Sequence, residues 1–489
     1  MSLDRRDFLR RTGILALWAA RPPSAAPEAG EWVNDVHSQL NRTQVAEVLK
    51  PSSVDELQEA VALAARTGRR IALSGSRHAM GGQQFLGDAL LIDSRSLHRI
   101  GQVDRSRGTV EIEGGAEWSE IVPHLVQAQA GAEAAWGIAQ KQTGADHLTI
   151  GGAVSANAHG RGLRMKPFIS DLESFTLIDA DGRERRCSRQ ENEELFRLAA
   201  GGYGLFGAVA RVTLRLAPRV KLERIVEIGL VDDLVERIEE RSDAGFLYGD
   251  FQYAIDPASD DFLRRGVFCC YRPVHASTPM ADVQKELSAQ DWGDLVRLAH
   301  TDRTRAFERY ASYYRSTAGQ LYWSDTHQLS AYYPDYHRAL DGTLGGPATE
   351  MLTELYVPRA ALASFMDDAR KALRASGVDV VYGTIRFIEK DEESFLAWAR
   401  DRYACVIFNL HTRHTPDGVE RAAAAFRSLI DLAITRGGSY YLTYHRWARR
   451  DQVLACYPQL PELLRRKKAH DPEERFQSDW YRHYSALLA

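Results

Sequence analysis

Gly75-Ser76-Arg77-His78-Ala79-Met80-Gly81-Gly82-Gln83 is the stretch on which the reading of this chain turns. Ile71-Ala72-Leu73 immediately before it reads as a short buried strand. Glycines at 75, 81 and 82 let the backbone turn tightly and bring its N–H groups close to a phosphate, so the loop suits a pyrophosphate. The element before the strand is a helix. Ser53 and Glu56 read as a capping box, and Leu57, Val61 and Ala64 recur on one helical face. The order helix, strand, glycine turn differs from a Rossmann unit, whose G-x-G-x-x-G follows a strand and opens a helix.

Two further glycine clusters follow. Thr149-Ile150-Gly151-Gly152-Ala153-Val154-Ser155-Ala156-Asn157-Ala158-His159-Gly160 alternates small residues with polar ones, which permits close backbone approach. Gly201-Gly202-Tyr203-Gly204-Leu205-Phe206-Gly207 precedes an alternating strand from Ala208 to Leu216 that begins Ala208-Val209. In this order and spacing the three loops resemble the PCMH-type FAD-binding domain of the vanillyl-alcohol oxidase superfamily. The pattern G-x-x-H-[SA]-x-x-G-Q is similar to that of cytokinin dehydrogenases and of alditol and aldonolactone oxidases, whose histidine is commonly linked to the flavin 8α-methyl. The resemblance covers roughly residues 47 to 218. It returns at the far end, where Leu442 to Arg449, Tyr457-Pro458, Asp471-Pro472 and Phe476-Gln477-Ser478 are similar to the closing elements of sugar and lactone oxidases.

The resemblance implies an α+β fold: a two-lobed FAD-binding domain over 41–218, a substrate domain with an antiparallel sheet and helices over 219–440, and a segment 441–489 folding back to the flavin. In the middle region, Phe246 to Tyr253, Gly266 to Tyr271, Met351 to Val357, Val380 to Phe387 and Cys405 to His411 read as strands from their alternating β-branched and aromatic content. An aromatic-rich stretch lies between them (Tyr310, Tyr313, Tyr314, Tyr322, Trp323, Tyr332, Tyr333, Tyr336), and it reads as helical packing more readily than as a substrate lining.

Carried residue by residue, the resemblance implies that FAD is held by Gly75, Ser76, Arg77, His78, Ala79, Gln83, Thr149, Gly151, Gly152, Ser155, Val209 and Ser478, with a covalent link through His78. His159 either faces the flavin or satisfies loop carbonyls. Oxidation of an alcohol needs a hydride-donor carbon near the flavin, a proton acceptor, and positive charge to stabilise the reduced cofactor. The family's Glu-x-Arg strand reads here as Thr384-Ile385-Arg386, and its W-G-K as Trp447-Ala448-Arg449; Arg446 replaces a histidine, with His445 one position earlier. Arg386, Tyr444, His445 and Arg449 are therefore the catalytic candidates. The lost glutamate disfavours a plain sugar-alcohol oxidase, and the added arginine favours an anionic substrate if these side chains point inward, because guanidinium binds carboxylate in bidentate fashion.

Composition agrees with a two-domain globular protein: 489 residues carry a formal charge of −4, which gives no reason to expect nucleic acid as a partner. Five cysteines, at 187, 269, 270, 405 and 456, lack C-x-x-C spacing, so neither a metal nor a dithiol site is indicated. At the start, within residues 1–30, Asp4-Arg5-Arg6-Asp7-Phe8-Leu9-Arg10-Arg11 resembles a twin-arginine export motif and precedes an apolar run too short for stable membrane insertion. The expectation is an exported, periplasmic flavoprotein that oxidises a C–OH bond of a small, anionic or sugar-derived substrate, with O2 or another acceptor taking the electrons. Flavin-dependent C=C reduction, or flavin binding without chemistry, are the alternatives.

Overall fold

The computed structural model describes residues 30–330 and 336–489, so the export-like motif, Tyr332 and Tyr333 lie outside the described residues. The architecture is α+β. Its first unit is a parallel sheet of three strands in the order Glu47–Leu49, Leu90–Asp93, Ile71–Ser74. The helix Val54–Thr67 packs on it through Leu57, Val61 and Ala64. Ser53 caps this helix by accepting from Glu56 N at 3.1 Å, and Gly68, at φ 64°, ends it. The expected capping box is only half formed, because the Glu56 carboxylate accepts from Ser52 N at 2.8 Å rather than from Ser53 N.

The second unit is antiparallel, in the order Thr109–Glu113, Ala208–Pro218, Leu172–Ile178, Glu184–Ser188. Along Ala208–Pro218 burial alternates with the two-residue period of a strand. The second glycine cluster is not an extended loop but the short helix Ile150–Ala156: Thr149 caps it by accepting from Gly152 N at 3.2 Å, and Asn157, at φ 44°, terminates it.

The third unit is an eight-stranded antiparallel sheet. Its order is Leu321–Trp323, Lys221–Leu230, Arg265–Val274, Tyr248–Tyr253, Asp379–Ile388, Tyr403–Arg413, Ala348–Pro358, Ser439–Tyr440. All five strands read in this region are present, each differing by a few residues at its ends. Lys221–Leu230 escaped the reading because charged residues interrupt its pattern and most of its side chains are only half-buried. On this sheet Phe251, Phe387, Val406 and Phe408 belong to the apolar core, whereas Gln252, Arg386 and Asn409 alternate with them and face a cavity, with Ile407 bordering both.

The tail closes the first unit. Phe476 bridges in parallel to Ile71, with Ile71 N donating to Arg475 O at 2.7 Å and Gln477 N to Ile71 O at 2.9 Å. Residues Arg475 to Gln477 therefore lie beside the strand that feeds the glycine loop.

Candidate functional site

A cavity of about 1020 Å³ lies where the three units meet. One wall is the first glycine loop: Gly75, Ser76, Arg77, His78 and Ala79 all line it, as does Gln83. Arg77 holds a positive φ of 60°, which turns successive backbone groups toward one side. Gln83 fixes the loop to the tail, donating from Nε2 to Thr443 O at 2.9 Å and accepting from Gly81 N at 3.0 Å. The adjoining wall carries Thr149, Gly151, Gly152 and Ser155 from the short helix, and Val209 from the strand after the third cluster. At Gly151 a Cβ would sit 2.7 Å from Gly114 O, and at Gly75 one would sit 2.2 Å from Thr149 Oγ1, so neither position has room for a side chain.

His78 is held neutral. Burial lowers its pKa to about 4, helped by repulsion from His37 and His147, against the pull of Asp35. Its ring nitrogen lone pair is thus free at neutral pH.

The opposite wall is the sheet. Arg386 lines it, 8% exposed, with no carboxylate within ion-pair distance and no hydrogen-bond partner for Nε among the described residues. The ion pair with Glu389 or Asp391 that would make it structural is absent: Glu389 is engaged by Arg359 and Arg402 instead. Tyr444 also lines the cavity, and its hydroxyl donates to Glu354 Oε2 at 3.1 Å. Burial, and then the Glu354 charge, push the Tyr444 phenol well above its ordinary pKa, so it stays protonated.

Glu354 was not anticipated. It is 1% exposed, one strand pair away from Thr384, in the row Thr384–Ile407–Glu354 across the sheet. Its Oε1 accepts from Tyr356 Oη at 3.1 Å and from Cys405 Sγ at 2.6 Å, and pairs with His159 Nε2. Burial opposes its ionisation, but the charge and hydrogen bond of His159, the Cys405 contact and the nearby Arg386 outweigh it and hold the carboxyl down at about 2. Burial and the Glu354 charge push the Cys405 thiol well above its usual pKa, so it stays protonated and donates to the carboxylate. A charged residue inside the apolar run Met351 to Val357 was the available signal, since a carboxylate is buried there only with partners.

Three expectations are corrected by position, and the alternative left open at His159 is decided for its loop carbonyl. Arg449 is on the surface, its side chain 45% exposed and paired with Asp431 at 2.9 Å and Asp451 at 3.0 Å, so it adds no charge to the cavity. His445 is off the cavity wall, 1% exposed and stacked on Phe426 at 4.5 Å; burial lowers its pKa to about 3, which removes it as an acid or base. His159 lies behind the wall, between Gly160 O at 3.0 Å and Glu354. Ser478 caps the final helix Asp479–Leu488, accepting from Tyr481 N at 3.1 Å, and does not reach the cavity. The aromatic stretch errs in the other direction: Tyr310, Tyr313, Tyr314, Tyr322 and Trp323 line the cavity. Arg224 joins them there, its guanidinium 4.3 Å from the Tyr322 ring centroid.

Residues 45–188 match the family described as FAD binding domain. Over 442 residues the chain is 25% identical to the L-gulono-1,4-lactone dehydrogenase of Mycobacterium tuberculosis (strain ATCC 25618 / H37Rv), covering 89% of this chain and 95% of that protein. It is 27% identical to the L-gulonolactone oxidase of Mus musculus over 174 residues, 35% of this chain and 38% of the other. It is also 27% identical to cytokinin dehydrogenase 9 of Oryza sativa subsp. japonica over 194 residues, 38% and 36% of the two chains. The chain is an FAD-dependent oxidoreductase. These matches agree with the superfamily that the loops resemble.

The flavoenzyme's own cavity fits the cofactor. Ser74 Oγ, Arg77 Nε and Gln84 Oε1, all from residues on the loop wall, are buried without a hydrogen-bond partner among the described residues, and a pyrophosphate or a flavin edge offers the missing acceptors and donors. Gly75 and Gly151 pack directly on Thr149 and on the Gly114 backbone, which holds the glycine loop and the short helix together along the cavity.

Proposed function

We propose that this flavoenzyme oxidises a CH–OH group of a small, sugar-derived substrate that presents a carboxylate or a polarised carbonyl to Arg386. The carrying observation is that guanidinium: buried on the cavity wall, with no carboxylate within ion-pair distance among the described residues and Glu354 acting on it only through space. A buried cation without a counter-ion is costly unless a ligand supplies one. FAD, when bound, supplies the acceptor for the hydride that leaves the substrate carbon. Gly75–Ala79, Gln83, Thr149, Gly151, Gly152, Ser155 and Val209 would hold it.

Tyr444 Oη stands ready to accept the hydrogen bond of the substrate hydroxyl, because its own proton is committed to Glu354. As hydride departs, the carbinol O–H becomes strongly acidic. Even a carboxylate held at about 2 then suffices as the final acceptor, through the tyrosine hydroxyl. Arg386 binds the electron-withdrawing oxygen of the substrate and stabilises the negative charge that grows on its side of the cavity.

The neutral imidazole of His78, on the same wall as the glycine loop, supports a covalent bond to the flavin. Acid-precipitated protein should stay yellow, and His78→Ala should release the colour. The Arg5-Arg6 pair supports export by the twin-arginine route, and replacing both with Lys should hold the flavoprotein in the cytoplasm.

The test of function is anaerobic mixing of the holoenzyme with L-gulono-1,4-lactone, aldonates, neutral alditols, amines and NAD(P)H, followed by flavin bleaching. Lactones or aldonates should reduce the flavin faster than alditols. Reduction by NAD(P)H alone would sink the proposal and favour C=C reduction.

A further inference from the structure

Away from the cavity wall, three side chains from distant parts of the chain converge on one point of the eight-stranded sheet. Glu350 on Ala348–Pro358 lies directly opposite His411 on Tyr403–Arg413 in the antiparallel register. His300 reaches them from the last turn of the helix Ala289–Thr301. His300 Nε2 is 3.2 Å and His411 Nδ1 3.3 Å from the same oxygen, Glu350 Oε1, and the three donor atoms lie within 4.8 Å of one another. The other oxygen, Oε2, is buried with no partner among the described residues.

We propose that His300, Glu350 and His411 form a binding site for a divalent transition-metal ion of the zinc class. Tetrahedral coordination at about 2.0–2.1 Å places neighbouring donor atoms roughly 3.3–3.4 Å apart. The observed separations of 3.2 and 3.3 Å match that edge. A direct charge-assisted N–H···O bond would close to about 2.7–2.9 Å. Two imidazoles serving only a carboxylate would also have no reason to crowd one oxygen while the other stays buried and unsatisfied. A cation between them takes a lone pair from each ring and neutralises the carboxylate. Two imidazoles and one carboxylate are the donor set of an open zinc site, with the fourth position left to water.

The surroundings favour a cation as well. His300 sits where the terminal carbonyls of its helix concentrate negative potential. The side chains of the cluster are 4%, 3% and 9% exposed, so bound metal would be shielded from bulk water.

The site bears on the cavity through the helix. Trp292 of this same helix lines the cavity, as do Asp282, Lys285 and Leu287 of the segment that leads into it. A metal ion clamping the helix end to the sheet would hold that part of the wall in place. None of the three ligands lines the cavity.

The experiment uses the full-length flavoprotein, stripped with EDTA and titrated with Zn(II) by calorimetry and with Co(II) by visible absorption. The expected result is one equivalent bound, Co(II) bands of tetrahedral intensity, and a raised melting temperature with Zn(II). His411→Gln and Glu350→Gln should each weaken binding by more than the ~10–100-fold lost when an outer-sphere partner of a metal ligand is removed, while flavin content and far-ultraviolet circular dichroism stay those of the parent. If either variant fails to fold, His300→Ala, at a helix end, carries the same test. Absence of stoichiometric binding overturns the proposal, as does binding that survives in folded variants.

Discussion

Replacing Arg386 by Gln separates a catalytic cation from a structural one, because the fold contains a matched control. Arg386, on the strand Asp379–Ile388, and Arg359, in the short turn Arg359–Ala361 that follows the strand Ala348–Pro358, are each 8% exposed. Arg359 is neutralised, at 2.5 Å from Glu239 and 2.8 Å from Glu389, whereas Arg386 has no carboxylate within ion-pair distance among the described residues. Breaking a buried pair leaves an uncompensated charge and costs about 3–5 kcal/mol. Glu239 and Glu389 are partly exposed, which brings the expectation for Arg359→Gln down to about 2 kcal/mol. Arg386→Gln strands no partner, and stability should change by less than about 1 kcal/mol or rise. Its loss should appear in the reaction: a hydrogen bond to a charged group is worth about 1.5–3 kcal/mol, so flavin reduction should slow roughly 10- to 150-fold. The assays are anaerobic stopped-flow reduction and urea unfolding of both variants, with bound FAD measured by absorbance. If Arg386→Gln unfolds as easily as Arg359→Gln and reduces at the parent rate, Arg386 is structural and the anionic or carbonyl anchor is refuted.

Further outcomes follow from the same geometry. Tyr444→Phe removes the hydroxyl that joins the cavity to Glu354 and should slow reduction by about tenfold to a hundredfold with FAD retained; an unchanged rate would dismiss the Tyr444–Glu354 route. His445→Phe should keep activity, since the ring is stacked and neutral. It should also flatten the acid limb of stability. A histidine whose folded pKa is about 3 gives its full contribution above the unfolded value near 6.5 and loses it as pH falls, about 2 kcal/mol by pH 5, so the difference in urea midpoint between parent and variant must narrow or invert over that window. Arg449→Ala, at an exposed ion pair, should alter stability by no more than about 1 kcal/mol and leave reduction kinetics alone; a slowed reduction would return it to the active site. Gly151→Ala should push the short helix Ile150–Ala156 off Gly114, lowering stability and FAD content together, measured as melting temperature and flavin absorbance per protein, because the added methyl meets the Gly114 carbonyl; unchanged values of both would dismiss the close packing.

What the sequence by itself determined is local. A glycine loop after a strand, a second cluster behind Thr149 and a third before an alternating strand each declare themselves within a dozen residues, because positive φ, helix capping and two-residue alternation are written in neighbouring side chains. The cavity-facing positions of Gly75 to Ala79 were legible for that reason, whereas Arg386 was reached only through the resemblance of its strand to the family's Glu-x-Arg. Which residues of the closing motif face inward was decided only by tertiary structure. In Tyr444-His445-Arg446-Trp447-Ala448-Arg449, the chain turns so that Tyr444 reaches the cavity, His445 stacks in the core and Arg449 meets Asp431 at the surface; spacing cannot give such directions for an irregular segment. Glu354, the carboxylate in the same row as Thr384, is likewise brought there only by the pairing of strands across the sheet, and His300 meets Glu350 and His411 only because its helix packs against two strands set in register. Burial makes those groups consequential, because a charge removed from water must find its partner in space, and sequence distance places no limit on where that partner lies.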